Sequence, residues 1–220
     1  MAPNPDLTRQ RLVTAAEMLF AERGIEAVSL REINAAAGQR NSTALQYHFG
    51  GRRGLLAAVL AKHHADVDRL RHAMLDEYER AGTDDLRAIA AALVRPLAGK
   101  LDDPDGGRAF FRIHAQVLNR PDRTFDEAGP GAPGNSIDRW RRMAGPLLPD
   151  VAVRRLHHRF TAIRVAATEL ARRAAAAPRT DDLLFTSHLI DLVTALLGTP
   201  MSGETAALLR SRATAGRIAS

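Results

Sequence analysis

One segment near the N-terminus combines arginines with neutral hydrogen-bonding side chains. From Ser29 to Arg53 the chain has four arginines and one glutamate, which gives a local charge of +3. The neutral polar side chains of this segment are Asn41, Ser42, Thr43, Gln46, Tyr47 and His48. Such a mixture suits the phosphates and base edges of DNA. The alternative is an ordinary solvated surface on small helices.

Helix-end signals place these side chains on two short helices joined by a turn. Ser29 and Glu32 have the spacing of a capping box. Gly38 follows as a left-handed helix stop, and a second short helix is expected over about 42–49. Two short helices joined by a glycine turn and held by a longer first helix predict a helix-turn-helix. Its second short helix enters the major groove of DNA.

The rest of the chain has helical spacing almost throughout, which predicts an all-α fold. The first helix is expected from Asp6 or Thr8 to Gly24, and a long one from Gly50-Gly51 to about Ala81. Further helices are expected at 84–100, 107–119, 136–145, 150–177 and 181–198, followed by a short final one, with a loop over 120–135. We predict a DNA-binding domain over 1–50 and a helical effector-binding and dimerisation domain over 51–220.

Composition limits the possible classes of protein. The net charge of +6 permits a polyanionic partner such as DNA. The absence of cysteine excludes a disulfide framework and thiolate metal sites. Because no apolar run is long enough to span a bilayer and the N-terminus lacks the order of a signal peptide, we expect a soluble, cytoplasmic protein that makes no contact with membranes.

Several spaced features of about the first sixty residues match one known family in order. They are Thr14 to Gly24, Val28 to Ile33, Ala37-Gly38, Tyr47-His48-Phe49 and Leu55-Leu56. On these residues the chain resembles the TetR family of transcriptional regulators. The resemblance implies a homodimeric DNA-binding regulator, by default a repressor, which binds a palindromic operator and often responds to a small apolar or amphipathic effector.

We call the predicted DNA-binding domain over 1–50 the head and the helical domain over 51–220 the body. Two departures from the family pattern lie in the head. Asn34 stands where the family commonly has alanine, and the turn after Gly38 is one residue longer than usual. We expect Asn34 to hydrogen-bond the enlarged turn, because buried backbone groups there need partners.

Counting back from Phe49 places Asn41 at the N-cap of the recognition helix and turns Ser42, Thr43 and Gln46 toward the groove. The resemblance implies a base or phosphate contact for Arg31 and phosphate contacts for Ser29, Tyr47 and Arg52. The full set of predicted DNA-contacting residues is Ser29, Arg31, Arg40, Asn41, Ser42, Thr43, Gln46, Tyr47, His48 and Arg52.

A seam of apolar residues near the C-terminus predicts helix-to-helix packing. Leu156, Phe160, Ile163, Ala167 and Leu170 are spaced 4, 3, 4, 3. The next helix is apolar on more than one face, through Phe185, Leu189, Leu192, Val193 and Leu196. In the TetR family the last two long helices of the body pair with their twofold mates, so the resemblance implies that these residues form a dimer interface. The alternative is a core within one chain.

Four of the ten Phe, Tyr and Trp residues cluster between the head and these helices. The predicted effector pocket consists of Phe110, Phe111, His114, Leu118, Phe125 and Trp140. An apolar helical bundle with a few polar groups often holds a ligand. The alternative is that these rings are only core.

An enzyme is the first rival interpretation. The pairs His63-His64 and His157-His158 suggest a metal, but adjacent helical residues point about 100° apart and cannot both face one ion. The sequence has no phosphate loop, nucleophile elbow or dinucleotide fingerprint. We therefore expect no enzymatic activity, no cofactor and no metal. A second rival is a DNA-binding regulator that acts through a protein partner without an effector, and the sequence does not separate it from the sensor.

Overall fold

The computed structural model describes residues 5–39, 44–119, 135–148, 158–176 and 182–218. Within these ranges the fold is all-α without strands, as the helical spacing predicts. The helices are α1 (Pro5–Arg23), α2 (Leu30–Ala36), α3 (Ala44–Phe49), α4 (Arg52–Ala81), α5 (Leu86–Ala98), α6 (Gly107–Leu118), α7 (Ser136–Ala144), α8 (His158–Ala175), α9 (Asp182–Gly198) and α10 (Gly203–Ile218).

Local signals account for most helix ends. α4 stops at Ala81 because Gly82 follows in the left-handed conformation, with φ of +62°. α5 begins later than expected, since the Asp85 carboxylate accepts the N–H groups of Arg87 and Ala88 and so caps the helix. The last helix was predicted to be short, but α10 extends over 16 residues.

One apolar core runs through the head and the body. α1 contributes Leu12 and Phe20 to this core, and α4 contributes Leu55 at its start and Leu75 near its end. α5 lies at the centre of the body, where it contacts α4, α7, α8 and α9. α6 packs between α1 of the head and α8 of the body. Residue 50 lies between α3 and α4, and the core continues across this position, so the division into two domains stays a prediction.

Among the described residues no single helix is long and apolar enough to cross a membrane. α9 and the first part of α10, which are bent by 54° to each other, meet that test together by length and composition alone.

Candidate nucleic-acid interface

The start of α2 has the capping box that its sequence predicts. The Ser29 hydroxyl accepts the N–H of Glu32 at 3.2 Å, and the Glu32 carboxylate accepts the N–H of Ser29 at 2.8 Å. The hydrogen bonds from the side chain and backbone of Ser29, followed by that of Arg23 at 2.7 Å, lower the pKa of Glu32 to about 2.

This cap changes the interpretation of Ser29 as a phosphate contact. Its hydroxyl donates to the Glu32 carboxylate at 2.7 Å, so both donors of Ser29 are directed to that carboxylate. A DNA phosphate would have to displace Glu32 to receive either one. We therefore assign Ser29 first to the cap.

The recognition helix α3 presents a polar edge outward. Leu45 is buried and fixes α3 against the head, while Gln46 is exposed and Tyr47 is 84% exposed. An aromatic side chain so exposed packs little against its own chain and is available to a partner. His48 is half-buried, with its ring 5.2 Å from that of Tyr47 in an edge-to-face arrangement.

The neighbouring helix α2 adds the exposed Arg31 next to its N-cap, and α2 packs against α3. The turn between them is joined to α2 through a main-chain bond, in which Gln39 donates its N–H to the carbonyl of Asn34 at 2.9 Å. Asn34 itself is buried. Arg40, Asn41, Ser42 and Thr43 lie outside the described residues, so their contacts stay predictions.

Arg52 has an internal partner that the sequence did not indicate. Its guanidinium Nη1 donates to the carbonyl of Ile25 at 2.5 Å. The N–H of the same Ile25 donates to Oε1 of Gln116, on α6 of the body, at 3.1 Å. Arg52 therefore links the start of α4 to the segment before α2. This internal hydrogen bond is present in the protein without DNA.

A second set of polar residues lies where the head meets the body. We call Glu17, Lys62, His63, Asp103 and Asp105 the junction cluster. The carboxylate of Glu17, 3% exposed, contacts Nε2 of His63 and accepts from Lys62 Nζ at 2.9 Å. Lys62 also donates to the Asp105 carboxylate at 2.7 Å. Although burial alone would lower it, hydrogen bonds to Asp105 and Glu17 raise the pKa of Lys62 above its ordinary value.

The N-terminal helices match a known family model. The model for bacterial regulatory proteins of the tetR family covers residues 12–59, which extends from α1 through the recognition helix into α4. Residues 12–59 therefore carry the N-terminal DNA-binding segment of the TetR family.

Solved structures share the fold of this chain over most of their length. An alanine-substituted mutant of HlyIIR has a TM-score of 0.55 at 15% identity, over 91% of this chain and 100% of that one. AmtR of Mycobacterium smegmatis has a TM-score of 0.55 at 18% identity, over 94% of each chain. The multidrug binding protein EbrR, complexed with imidazole, has a TM-score of 0.51 at 20% identity, over 88% of this chain and 92% of that one. None of the curated proteins is significantly similar in sequence.

The predicted pocket residues differ in how deeply they are buried. Phe110, Phe111 and Trp140 are fully buried, and the Trp140 indole donates to the carbonyl of Ile89 at 2.8 Å. These three side chains are part of the core. His114 and Leu118 are half-buried, whereas Phe125 lies outside the described residues.

His64 is a member of this cluster that sequence reasoning missed. Its ring lies 5.6 Å from Phe110 and 5.7 Å from His114. Nδ1 of His114 is shielded from solvent and has no hydrogen-bond partner among the described residues. The spacing along one helix could not show this pairing, because the two histidines are on α4 and α6.

The residues predicted for the dimer interface also divide into two groups. Ala167, Leu170, Leu189 and Val193 are buried within the single chain, and their place in an interface stays a prediction. The half-buried or exposed members are Phe160, Ile163, Phe185, Leu192 and Leu196, and Leu156 lies outside the described residues. The most exposed leucines of α9, Leu183 and Leu184, were not in the predicted set. Apolar periodicity identifies a buried face but not what buries it.

Proposed function

We propose that this DNA-binding regulator is a dimeric, ligand-responsive repressor, which binds a palindromic operator and is released by a small-molecule effector. The exposed edge of the head carries this proposal. Arg31, Gln46 and Tyr47 extend into solvent from two helices whose apolar residues are buried behind them. Charged, amide and hydroxyl groups on one rigid helix pair are the groups that contact phosphates and base edges.

Exposed leucines on α9 support the dimer. Leu183, Leu184 and Leu192 are 88%, 70% and 50% exposed, respectively. Large apolar side chains that are exposed on one helix mark a surface for another protein. A second copy is the simplest partner, since a twofold dimer places two heads on one face and matches a palindrome.

The pair of histidines beside Phe110 supports the response to a ligand. Nδ1 of His114 is a polar atom that can bind a ligand group, and the Phe110 ring stacked on His114 is apolar. EbrR, which has the same fold, is a multidrug binding protein that was solved with imidazole. We propose that the effector of this chain contacts α4 and α6 near His64 and His114. Release of DNA requires that it binds better to a conformation in which the heads are wrongly spaced.

Selection of bound duplexes from random DNA tests the proposal. We expect a palindrome whose half-sites are separated by one helical turn, about 34–36 Å, or a multiple of it. The double variant Arg31→Ala, Tyr47→Ala should no longer enrich this palindrome. A matched control is Arg172→Ala, which removes an exposed arginine from α8. Enrichment of no sequence by the unchanged protein would refute the regulator model.

The effector is tested separately by thermal shift against a library of small molecules, followed by release of the selected operator. A compound that raises the melting temperature and releases DNA supports the sensor. Failure of every compound, combined with DNA binding that changes only when a protein partner is added, would favour a regulator that acts through that partner.

A further inference from the structure

The body contacts the head through α6 at two separate places. Near the end of α6, Gln116 accepts the N–H of Ile25. Just before its start, Gly106 lies against Glu17 of α1. Gly107 and Gln116 are nine residues apart in the sequence, so the two contacts are separated by about 13 Å along the helix axis.

The contact at Ile25 holds a backbone segment that leads directly into α2. Gly24 ends α1 in the left-handed conformation, with φ of +93°, and its N–H still bonds to Phe20. The next N–H, that of Ile25, is past the end of the helix and takes Gln116 as its acceptor. The carbonyl of Ile25 accepts a hydrogen bond from Arg52, and the Ile25 side chain is buried. The backbone of Ile25 is therefore held by the body at its N–H and by α4 at its carbonyl.

The contact at Gly106 is close and charged. A Cβ at this position would lie 2.5–2.8 Å from the carboxyl atoms of Glu17, and φ is +85°, so a residue with a side chain would be strained there and would displace Glu17. Lys62 joins the two sides, because it bonds both Glu17 and Asp105, which immediately precedes Gly106. The junction cluster thus attaches the loop before α6 to α1.

A single helix would not be enough to orient the head. α4 contributes Leu55 to the head and Leu75 to the body, so it connects them as one rod. If α4 were the only connection, the head could bend and twist relative to the body. A second contact at a distance from the α4 axis prevents this motion. α6 supplies that contact at Gln116 and at Gly106.

We propose that Gln116 is a positioning residue, which sets the orientation of the head and hence the half-site spacing that the dimer accepts. The proposal rests on the function proposed above and deepens it. Gln116 is near the end of α6, two residues after His114, so a ligand at His114 and the head at Ile25 act on the same turn of one helix. Displacement of that turn separates Gln116 from Ile25 and widens the range of head orientations.

Two variants of similar size isolate the hydrogen bond. Gln116→Met keeps the length of the side chain but removes the acceptor, whereas Gln116→Glu keeps an acceptor oxygen. Each is measured for affinity on the selected operator and on versions with one or two base pairs added to or removed from the spacer. Salt and protein concentration are held constant, and melting temperature and oligomeric state are recorded.

We expect Gln116→Met to bind the preferred spacing about 3- to 10-fold more weakly, in line with one hydrogen bond. The difference between preferred and altered spacings should shrink, while the melting temperature and the dimer stay close to those of the unchanged protein. Gln116→Glu, which keeps an acceptor oxygen, should keep the narrow preference for one half-site spacing. A role limited to folding would instead lower affinity equally on every spacing.

The proposal is overturned if Gln116→Met keeps the spacing profile of the unchanged protein, or if affinity falls by one factor on all spacers. Gly106→Ala is the independent second variant, and it should broaden the spacing preference through the other contact. If the unchanged protein binds DNA without any preference for spacing, the dimeric operator model is refuted as well. Failure of the proposed function can thus be distinguished from failure of the proposed role of Gln116.

Discussion

The imidazole of His114 stacks on the ring of Phe110, with centroids 5.0 Å apart and planes inclined by 18°. His64 meets Phe110 edge-on at 90°. Burial lowers the pKa of His114 to about 3, helped by His64 and Arg71. Burial also lowers the pKa of His64 to about 4, although the nearby Asp68 carboxylate acts in the opposite direction. Both rings are therefore neutral at physiological pH and offer a donor and an acceptor to any ligand.

These two histidines make stability depend on pH. Each pKa in the folded chain lies below the ordinary value of 6.5, so between those values the unfolded chain binds more protons. The contribution of the two neutral histidines to stability is fully present above pH 6.5. We expect the free energy of unfolding to fall as the pH is lowered from about 6.5 toward 4. Urea unfolding at intervals of half a pH unit measures this. His114→Leu should flatten the curve, and an unchanged slope in that variant would contradict the assignment.

The capping box gives a second prediction. Ser29→Ala should lower the free energy of unfolding by about 1 kcal/mol, because an N–H at the start of α2 loses its acceptor. It should also raise the pKa of Glu32 from about 2 toward its ordinary value, since Ser29 supplies the largest contributions to that shift. Urea unfolding and a carboxyl NMR titration measure the two effects. Ser29→Thr, which keeps the hydroxyl, is the control, and equal losses in both variants would show that the cap is not the cause.

Arg31 provides a test of base recognition. If it contacts a base edge, Arg31→Ala should cost about 1–3 kcal/mol of binding and relax the preference at one operator position. Competition binding on a set of single-position operator variants measures this. Arg31→Lys keeps the charge but not the two-pronged geometry, so it should recover affinity without recovering selectivity. An equal loss on all operator variants would instead identify a phosphate contact.

The exposed face of α9 provides a test of dimerisation. A carboxylate at Leu192 or Leu184 would be desolvated in an interface, so Leu184→Asp with Leu192→Asp should convert dimer to monomer. Sedimentation equilibrium measures the mass, and circular dichroism checks that helix content is kept. Leu70→Asp, on the exposed side of α4, is the matched control. A double variant that stays dimeric would place the interface elsewhere.

Several features of this protein follow from the sequence alone. Ser29 and Glu32 predicted the cap of α2, Gly38 predicted its end, and the long helix was expected to end at about Ala81; the structure confirms all three. These features depend on hydrogen bonds and φ values within a few residues, so a short window of sequence contains the whole cause. The all-α fold follows in the same way, since helical periodicity is also local.

Only the tertiary structure decided which distant groups meet. Ile25 and Gln116 are 91 residues apart, and neither has a local signal that indicates the other. Ala167 and Leu170 have the spacing of an interface, yet they are buried by their own chain, because periodicity defines an apolar face without defining its partner. The phosphate contact of Arg52 stays a prediction, and the fold adds the Ile25 carbonyl as an internal partner of the same side chain. Contacts of this kind depend on how the helices pack in three dimensions, which no short window of the chain contains.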